Sequence, residues 1–443
     1  MGQTLSEPIK EKHSSSDKDG RLMYAASAMQ GWRISMEDAH TTILELDNHK
    51  GHSFFAVYDG HGGQNVAKYS GNHLHDRIVG NEEFAKKNYH EAIKNGFLGT
   101  DDDLRKDPQY TNDPSGCTAV TALVTPDNRI IVGNAGDSRA VISIGGVADP
   151  MSEDHKPVNK EETARILKAG GFVEFGRVNG NLALSRAIGD FEFKQNENLS
   201  PEEQIVTAMP ETKERHLDQD TEFLVIACDG IWDCLTSQDV VGFIRREISL
   251  GHDLKVACEN LMERCLARDS ELGGIGCDNM TVIIVAFLNG KTEKEWYDWI
   301  KQQVQQGVGP ALEEEKATNA VSESLDLSME MDEEDLELSH DTTDDLSIGL
   351  DDNDAPQQNA SNTDIPGTQS RRHNRTSSGS NSHSSSRSSS NDSSLSADFK
   401  TNVKDVDKKI TSQQKNNNTS TSPTSSSPLS VKVATNNSDN NGE

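Results

Sequence analysis

Three acidic residues each stand at the edge of an apolar run, and acids placed there can hold a hard cation. Asp59 follows Phe54-Phe55-Ala56-Val57-Tyr58 and leads into Gly60-His61-Gly62-Gly63. Asp229 follows Phe223-Leu224-Val225-Ile226-Ala227-Cys228, and Asp278-Asn279 opens Met280-Thr281-Val282-Ile283-Ile284-Val285. A buried strand that ends in a carboxylate, with glycine beyond it, presents that carboxylate at the rim of a sheet. Three such ends suggest one shared acidic site. All-oxygen ligation suits Mg²⁺ or Mn²⁺, which keep several waters and prefer octahedral geometry. A zinc enzyme would carry His or Cys clusters such as HExxH, and the sequence has none. A carboxylate shared by two ions holds them roughly 3.5–4 Å apart, and a water between them becomes acidic enough to attack phosphorus. Asp59 is the candidate shared ligand. Gly60 permits a close backbone carbonyl, and Asp229 and Asp278 complete the set.

Two further residues could act on a phosphate at such a site. His61 lies two positions beyond Asp59. A lone histidine there reads as an ordinary loop residue, but beside a metal ligand it suits the task of protonating a departing alkoxide. Arg33, in Gln30-Gly31-Trp32-Arg33-Ile34-Ser35-Met36-Glu37-Asp38, could grip phosphate oxygens bidentately. Glu37 and Asp38 could reach the metals directly or through waters. Taken alone, Arg-x-x-x-Glu-Asp reads as surface charge.

Elements that could position these residues are visible in the pattern. Strands are predicted at Ser53–Tyr58, Thr118–Val124, Arg129–Asn134, Ala140–Ile144, Leu224–Cys228 and Met280–Phe287, rich in Val, Ile and Phe and bounded by turn formers. Thr125-Pro126-Asp127-Asn128 predicts an antiparallel hairpin between two of them. A helix should start at Asn159, capped with Glu162, and stop at Gly170-Gly171. Thr236 with Asp239 marks another helix start, and Trp296, Trp299, Ile300 and Val304 line one face of a helix near 293–306.

Composition divides the chain. Hydrophobic residues make up 33%, too few for a packed core along all 443 residues. Residues 1–300 hold nearly all the apolar runs, with 49 acidic and 31 basic side chains, a net charge of −18. Residues 311–370 carry 18 acids and one base, and sequence rich in Ser and Asn follows. The reading is a flexible arm at 1–21, a folded domain at 22–290, a helix at 291–310 and a disordered tail at 311–443. An acidic body argues against nucleic-acid binding. Six cysteines without a CxxC pair fit free thiols in a reducing compartment. No stretch approaches the ~20 apolar residues of a membrane span. With no signal or transit peptide in the polar first twenty residues, the chain is expected in the cytoplasm and nucleus. Met1-Gly2-Gln3-Thr4-Leu5-Ser6 matches the N-myristoylation pattern at Gly2, as a chance match also would. One acyl chain without a basic patch gives at most weak, reversible membrane contact.

The short motifs, taken in order, resemble those of the metal-dependent type 2C serine/threonine protein phosphatases. They are Met29–Arg33 through Glu37-Asp38, Tyr58–Gly63, Ser115–Ala119, Asn134–Arg139, Asp154–Pro157, Arg177–Gly180, Leu184–Asp190, Ala227–Asp233 and Asp278–Met280. The match spans about residues 22–290, and the acidic, Ser/Asn-rich tail resembles fungal members. The resemblance implies an α+β fold, an α-β-β-α sandwich of two antiparallel sheets flanked by helices, with the metals at one end. It implies two Mg²⁺ or Mn²⁺ ions, bridged by Asp59, with the Gly60 carbonyl, Asp229 and Asp278 as ligands and Glu37 and Asp38 in or near the coordination sphere. It further implies that Arg33 binds the substrate phosphate, that His61 is the general acid, and that water attacks without a phosphoenzyme. Asp137 and Asp233 match positions linked to a weaker third metal. The expected substrates are phosphoserine and phosphothreonine proteins, including stress, cell-cycle and checkpoint kinases, and the expected state is a monomer. Cys117 stands where many relatives carry Ser, and a buried, inert thiol is expected there.

Other readings are weaker. Cys258 and Arg264 have the spacing of a cysteine-phosphatase loop, but the residues between them look helical and lack Gly. A kinase reading lacks both a Gly-rich phosphate loop and an HRD-type loop. A phosphoprotein-binding scaffold without catalysis would show loss of a metal acid, yet Asp59, Asp229 and Asp278 are all present. In the tail, Asp345 stands three residues after Thr342 in Thr342-Thr343-Asp344-Asp345, which could give a phosphosite for a forkhead-associated-domain partner. The alternative is a solvated acidic linker. Phosphopeptide-dependent pull-down of the full chain should be lost in Thr342→Ala; unchanged capture would remove this reading.

Overall fold

Strands buried on both faces account for the continuous apolar runs in the sequence. The computed structural model describes residues 4–110, 112–270, 274–310 and 433–434. Gly2, Thr342 and, apart from residues 433–434, the rest of the expected tail lie outside the described residues. One six-stranded sheet runs β1 (Thr4–Lys18), β2 (Leu22–Arg33), β16 (Met280–Phe287), β15 (Thr221–Ala227), β9 (Arg139–Ile144), β10 (Val147–Pro150). The other runs β14 (Glu211–His216), β8 (Arg129–Ala135), β7 (Ala119–Val124), β4 (Ser53–Tyr58), β3 (Ala39–Ile43), β17 (Val433–Ala434). The pairings within both are antiparallel. This is the α-β-β-α sandwich that the motifs implied.

Successive side chains of a strand point to opposite faces, so each central strand feeds two cores. In β15, Leu224, Ile226 and the adjoining Cys228 pack between the sheets, while Phe223, Val225 and Ala227 face outward. In β4, Phe55 and Val57 face inward while Phe54, Ala56 and Tyr58 face out. The outer face of the first sheet is covered by α5 (Asp229–Trp232), α6 (Ser237–Ser249), α7 (Leu254–Cys265) and α8 (Glu293–Gln305). The outer face of the second is covered by α1 (Asn65–Val79), α2 (Glu82–Ala85) and α3 (Tyr89–Lys106). Helix α8 buries Trp296 and Ile300 as the pattern predicts, and a capping box between Thr292 and Glu295 fixes its start. Thr236 caps α6 by accepting from the Asp239 amide.

Among the described residues the structure differs from expectation in the arm and at the start of the helix after Asn159, and β17 lies within the stretch expected to be disordered. Within the arm expected at 1–21, Thr4–Lys18 form strand β1, paired along β2 from Lys18 opposite Met23 to Thr4 opposite Arg33. Its polar side chains find polar partners: Ser14 Oγ lies 2.8 Å from Ser27 Oγ and donates to Glu259, and Lys12 Nζ donates to Glu263 at 2.6 Å. Such a strand carries no apolar alternation to betray it. Helix α4 (Lys160–Lys168) starts after Asn159, but the Asn159 side chain makes no cap bond and donates to the Asp154 carbonyl. Glu162 turns inward instead.

That inward turn ties α4 to the segment around Ser185 and Arg186. Two short pairs lie in and near it: β11 (Val173–Glu174) with β12 (Arg177–Val178), and β13 (Ile188–Gly189) with β6 (Gly116–Cys117), which continues to β5 (Gly60–His61). The Glu162 carboxylate accepts from Arg165, Ser185 and Arg186, at 2.7, 2.5 and 2.6 Å. Burial works against its charge, but Arg186 and Arg165 hold its pKa down at about 2. Glu162→Ala leaves Arg165 without a carboxylate and Arg186 with Glu211 alone, and should lower unfolding stability by about 3–5 kcal/mol, read as a lower denaturant midpoint.

Candidate active site

Antiparallel register brings the acidic strand ends together. The end of β15 and the start of β16 share one edge, with Ala227 opposite Val282. The end of β2 lies there too, with Met29 opposite Met280, and the start of β3 faces the end of β4, with Ala39 opposite Tyr58. Asp278, Asp229, Asp59, Asp38 and Arg33 therefore all extend from one end of the sandwich.

Asp38, Asp59 and Cys228 each offer a ligand atom within 4.8 Å of the others. Thr281 Oγ1 donates to Asp38 Oδ2 at 2.6 Å, while Asp38 Oδ1 is buried without a partner. Burial raises the Asp38 carboxyl; the Thr281 bond opposes this and the Asp278 charge adds to it, leaving a pKa of about 7. Asp59 is pushed well above the usual carboxylate range, first by burial and then by Asp229, Asp38, Asp278 and Asp137. Asp229 rises for the same reasons, with Asp137 its strongest charged neighbour. Asp278 also rises through burial, against the pull of Arg33. A divalent cation among these carboxylates would oppose the rise and favour their charged form. The orphan Asp38 oxygen and the oxygen-rich donor set fit Mg²⁺ or Mn²⁺. Cys228 enters the cluster as a strand neighbour. Burial pushes its thiol up, and the sulfur donates to the Asn279 carbonyl while accepting from the Thr281 amide.

The remaining expected residues take distinct places. Gly60 is required because a Cβ there would lie 2.2 Å from the Glu37 carbonyl oxygen. Glu37 directs its carboxylate to Ser35 Oγ at 2.7 Å and the Gly63 amide at 3.1 Å. Arg33 Nη2 donates to Asp278 Oδ2 at 2.5 Å at the open rim. His61 Nε2 lies 2.7 Å from Asp190 Oδ2. Burial disfavours the His61 cation, but Asp190 outweighs it, with Asp137 and Glu37 adding, and the pKa rises. Asp137 pairs with Lys156 at 2.5 Å. Asp233 is raised by burial and restrained by Lys156.

Three residues of this end were given no role by sequence reasoning, although all lie in the short motifs. Lys156 supplies an ammonium among Asp137, Asp229 and Asp233, whose charges raise its pKa against burial. Asn279 ties down the loop that carries Glu37: its Oδ1 accepts from the Glu37 amide, and its Nδ2 donates to the carbonyls of Gln30 and Ser35. Asp190 is the partner of His61. The available signal for Asn279 and Lys156 was a polar residue beside a site acid or inside a motif; for Asp190 there was none local to His61. The thiols behave as expected. All six cysteines are free, Cys117 is buried with its thiol pushed up, and Cys258 sits within helix α7, where no phosphate loop can form. Among the described residues, no helix is long and apolar enough to cross a membrane.

Comparison with known proteins agrees with this geometry. The family model described as protein phosphatase 2C matches residues 22–272. Over 340 residues the chain is 54% identical to protein phosphatase 2C homolog 2 of Schizosaccharomyces pombe, covering 75% of this chain and 92% of that one. Over 311 residues it is 47% identical to protein phosphatase 2C homolog 2 of Saccharomyces cerevisiae, covering 68% and 67%. A crystal structure of a phosphatase from Toxoplasma gondii superposes with a TM-score of 0.56 at 25% identity, covering 64% of this chain and 97% of that one.

The raised carboxyls set a pH dependence. Asp38 titrates near 3.8 when exposed and at about 7 in the metal-free fold. A group with a raised folded pKa contributes stability that is present below its unfolded pKa and is lost as pH rises through its folded one. Metal-free protein should therefore melt at lower temperature as pH rises from about 4 toward 7, and Mg²⁺ or Mn²⁺ should raise the melting temperature more at about pH 8 than at about pH 5. Thermal denaturation with and without chelator checks both; a metal-induced rise independent of pH would contradict them.

Proposed function

Because this chain belongs to the protein phosphatase 2C family of metal-dependent serine/threonine protein phosphatases, we propose that it hydrolyses phosphoserine and phosphothreonine esters of proteins at the acidic end of its sandwich. The observation that carries the reading is the crowding of Asp38, Asp59, Asp229 and Asp278 at one rim of the sandwich, flanked by Arg33 and His61. Two divalent ions, Mg²⁺ or Mn²⁺, would be held by Asp59 as the shared ligand, with Asp38, Asp229, Asp278 and the Gly60 carbonyl. When bound they supply positive charge toward the phosphate oxygens and acidify a water.

The chain's own side chains do the rest. Arg33 is 41% exposed and spends one nitrogen on Asp278, so its remaining donors can grip a phosphate at the rim. His61, its pKa raised by Asp190, carries the proton that the departing serine or threonine oxygen needs. Lys156 pairs with Asp137 and holds it in place at the edge of the acidic cluster. A weaker third ion would have to compete with that ammonium for Asp137. The substrates we propose are phosphorylated kinases of stress, cell-cycle or checkpoint signalling, met in the cytoplasm and nucleus.

Phosphate release from a phosphothreonine peptide by the full chain tests the reading. Activity should require Mn²⁺ or Mg²⁺, vanish with chelator, and fall by roughly 10³-fold or more in Asp59→Asn. A folded, metal-binding wild type that releases no phosphate would favour the catalytically silent phosphoprotein scaffold.

A further inference from the structure

Gly116 lies at the centre of the small three-stranded sheet, opposite His61 on β5 and opposite Gly189 on β13. The residue after Gly189 is Asp190, and its carboxylate lies over Gly116. A Cβ at position 116 would stand 2.3 Å from Asp190 Oδ2 and 2.7 Å from Oδ1. The missing side chain is therefore the passage by which Asp190 crosses the middle strand and reaches His61 Nε2, 2.7 Å away.

The approach is held in place from behind. Asp190 has φ +50°, a left-handed conformation that few residues with a side chain adopt. Asp101 on α3 accepts from the Gly189 amide at 2.8 Å and from Lys194 Nζ at 2.7 Å. Lys194 also donates to the Ala187 carbonyl at 2.8 Å, closing the turn that carries Asp190. The Asp101–Lys194 pair is itself buried, and Arg105 donates to the Lys194 carbonyl. A buried carboxylate on a left-handed residue, braced by a buried ion pair, is costly, and such strain persists where the surroundings over-determine it.

We propose that Asp190 is a positioning residue for His61. It holds the Nε2–H, so that Nδ1 is the nitrogen that gives its proton to the leaving oxygen. The inference rests on the phosphoester-hydrolase reading above. The proton balance is closed: His61 begins protonated on both nitrogens, the bonding pair of the broken P–O bond goes to the oxygen, and that oxygen takes the Nδ1 proton. His61 ends neutral with its Nε2–H still on Asp190. A carboxylate that fixes one imidazole nitrogen to aim the other is a recurrent way to orient a histidine acid or base.

The test uses two substrates and the full chain. A phosphothreonine peptide leaves as an alkoxide and needs the acid, whereas p-nitrophenyl phosphate leaves as a stable phenolate and needs it far less. In Asp190→Ala and in Gly116→Ala, the ratio of kcat on peptide to kcat on p-nitrophenyl phosphate should fall at least about 10-fold, with peptide KM moving less, since general acids contribute roughly 10²–10⁴-fold. In a His61→Gln background, Asp190→Ala should lower the ratio no further. Equal losses on both substrates, or losses that multiply with His61→Gln, would overturn the proposal. If the variants fail to fold, the side-chain ¹⁵N spectrum of His61 in the wild type decides instead. A proton fixed on Nε2 is expected, and a bare Nε2 overturns it. A wild type inactive on both substrates would sink the hydrolase reading; an active one with unchanged ratios in the variants sinks only the role of Asp190.

Discussion

The crowding of like charges at the end of a buried sheet is the constraint on which the rest of the structure depends. Carboxylates repel one another and lose water there, so their pKa values are raised. A fold can sustain such a site only if its scaffold has stability to spare. The double use of the central strands provides this, because each contributes to the layer between the sheets and to a layer beneath helices. The acids then fall at strand ends, where the backbone is fixed but the side chains need not fill a core.

Around the acids, small polar groups fix geometry without adding charge. Thr281 holds one oxygen of Asp38 and leaves the other free. Asn279 ties the loop of Glu37 to the start of β16, and Thr118 Oγ1 accepts from the Asp59 amide while sharing a hydrogen bond with Ser138. Each contact is neutral, so the local negative potential is left for a cation to answer. The positive groups stand at the margin: Arg33 on Asp278 and Lys156 on Asp137. Charge thus grades from acidic centre to mixed rim, an arrangement suited to a phosphate that must meet both.

Much of this was legible in the sequence because it is local. Asp59, Asp229 and Asp278 could be read as strand-end acids since the apolar run and the acid are neighbours in the chain. The central strands appeared as continuous Val, Ile and Phe runs for the same reason that they are buried twice. What stayed hidden is non-local. His61 and Asp190 are 129 residues apart and meet only because a third segment runs between them. Strand β2, Leu22-Met23-Tyr24-Ala25-Ala26-Ser27-Ala28-Met29, is rich in Ala and Met and carries little strand propensity. Its pairing on both sides makes it a strand. The polar β1 was invisible because its partners, Glu259 and Glu263, arrive from a helix more than 240 residues away.

Strand β1 also closes the open flank of β2. With Thr4–Lys18 removed, the row of backbone amides and carbonyls along β2 would be left unpaired beside side chains that are nearly all apolar. An exposed, hydrophobic edge of that length is a template for pairing with another chain. The lysines and serines of β1 turn the same flank into one that stays in water. A boundary drawn at residue 22, where the family match begins, would therefore cut away the strand that covers this edge.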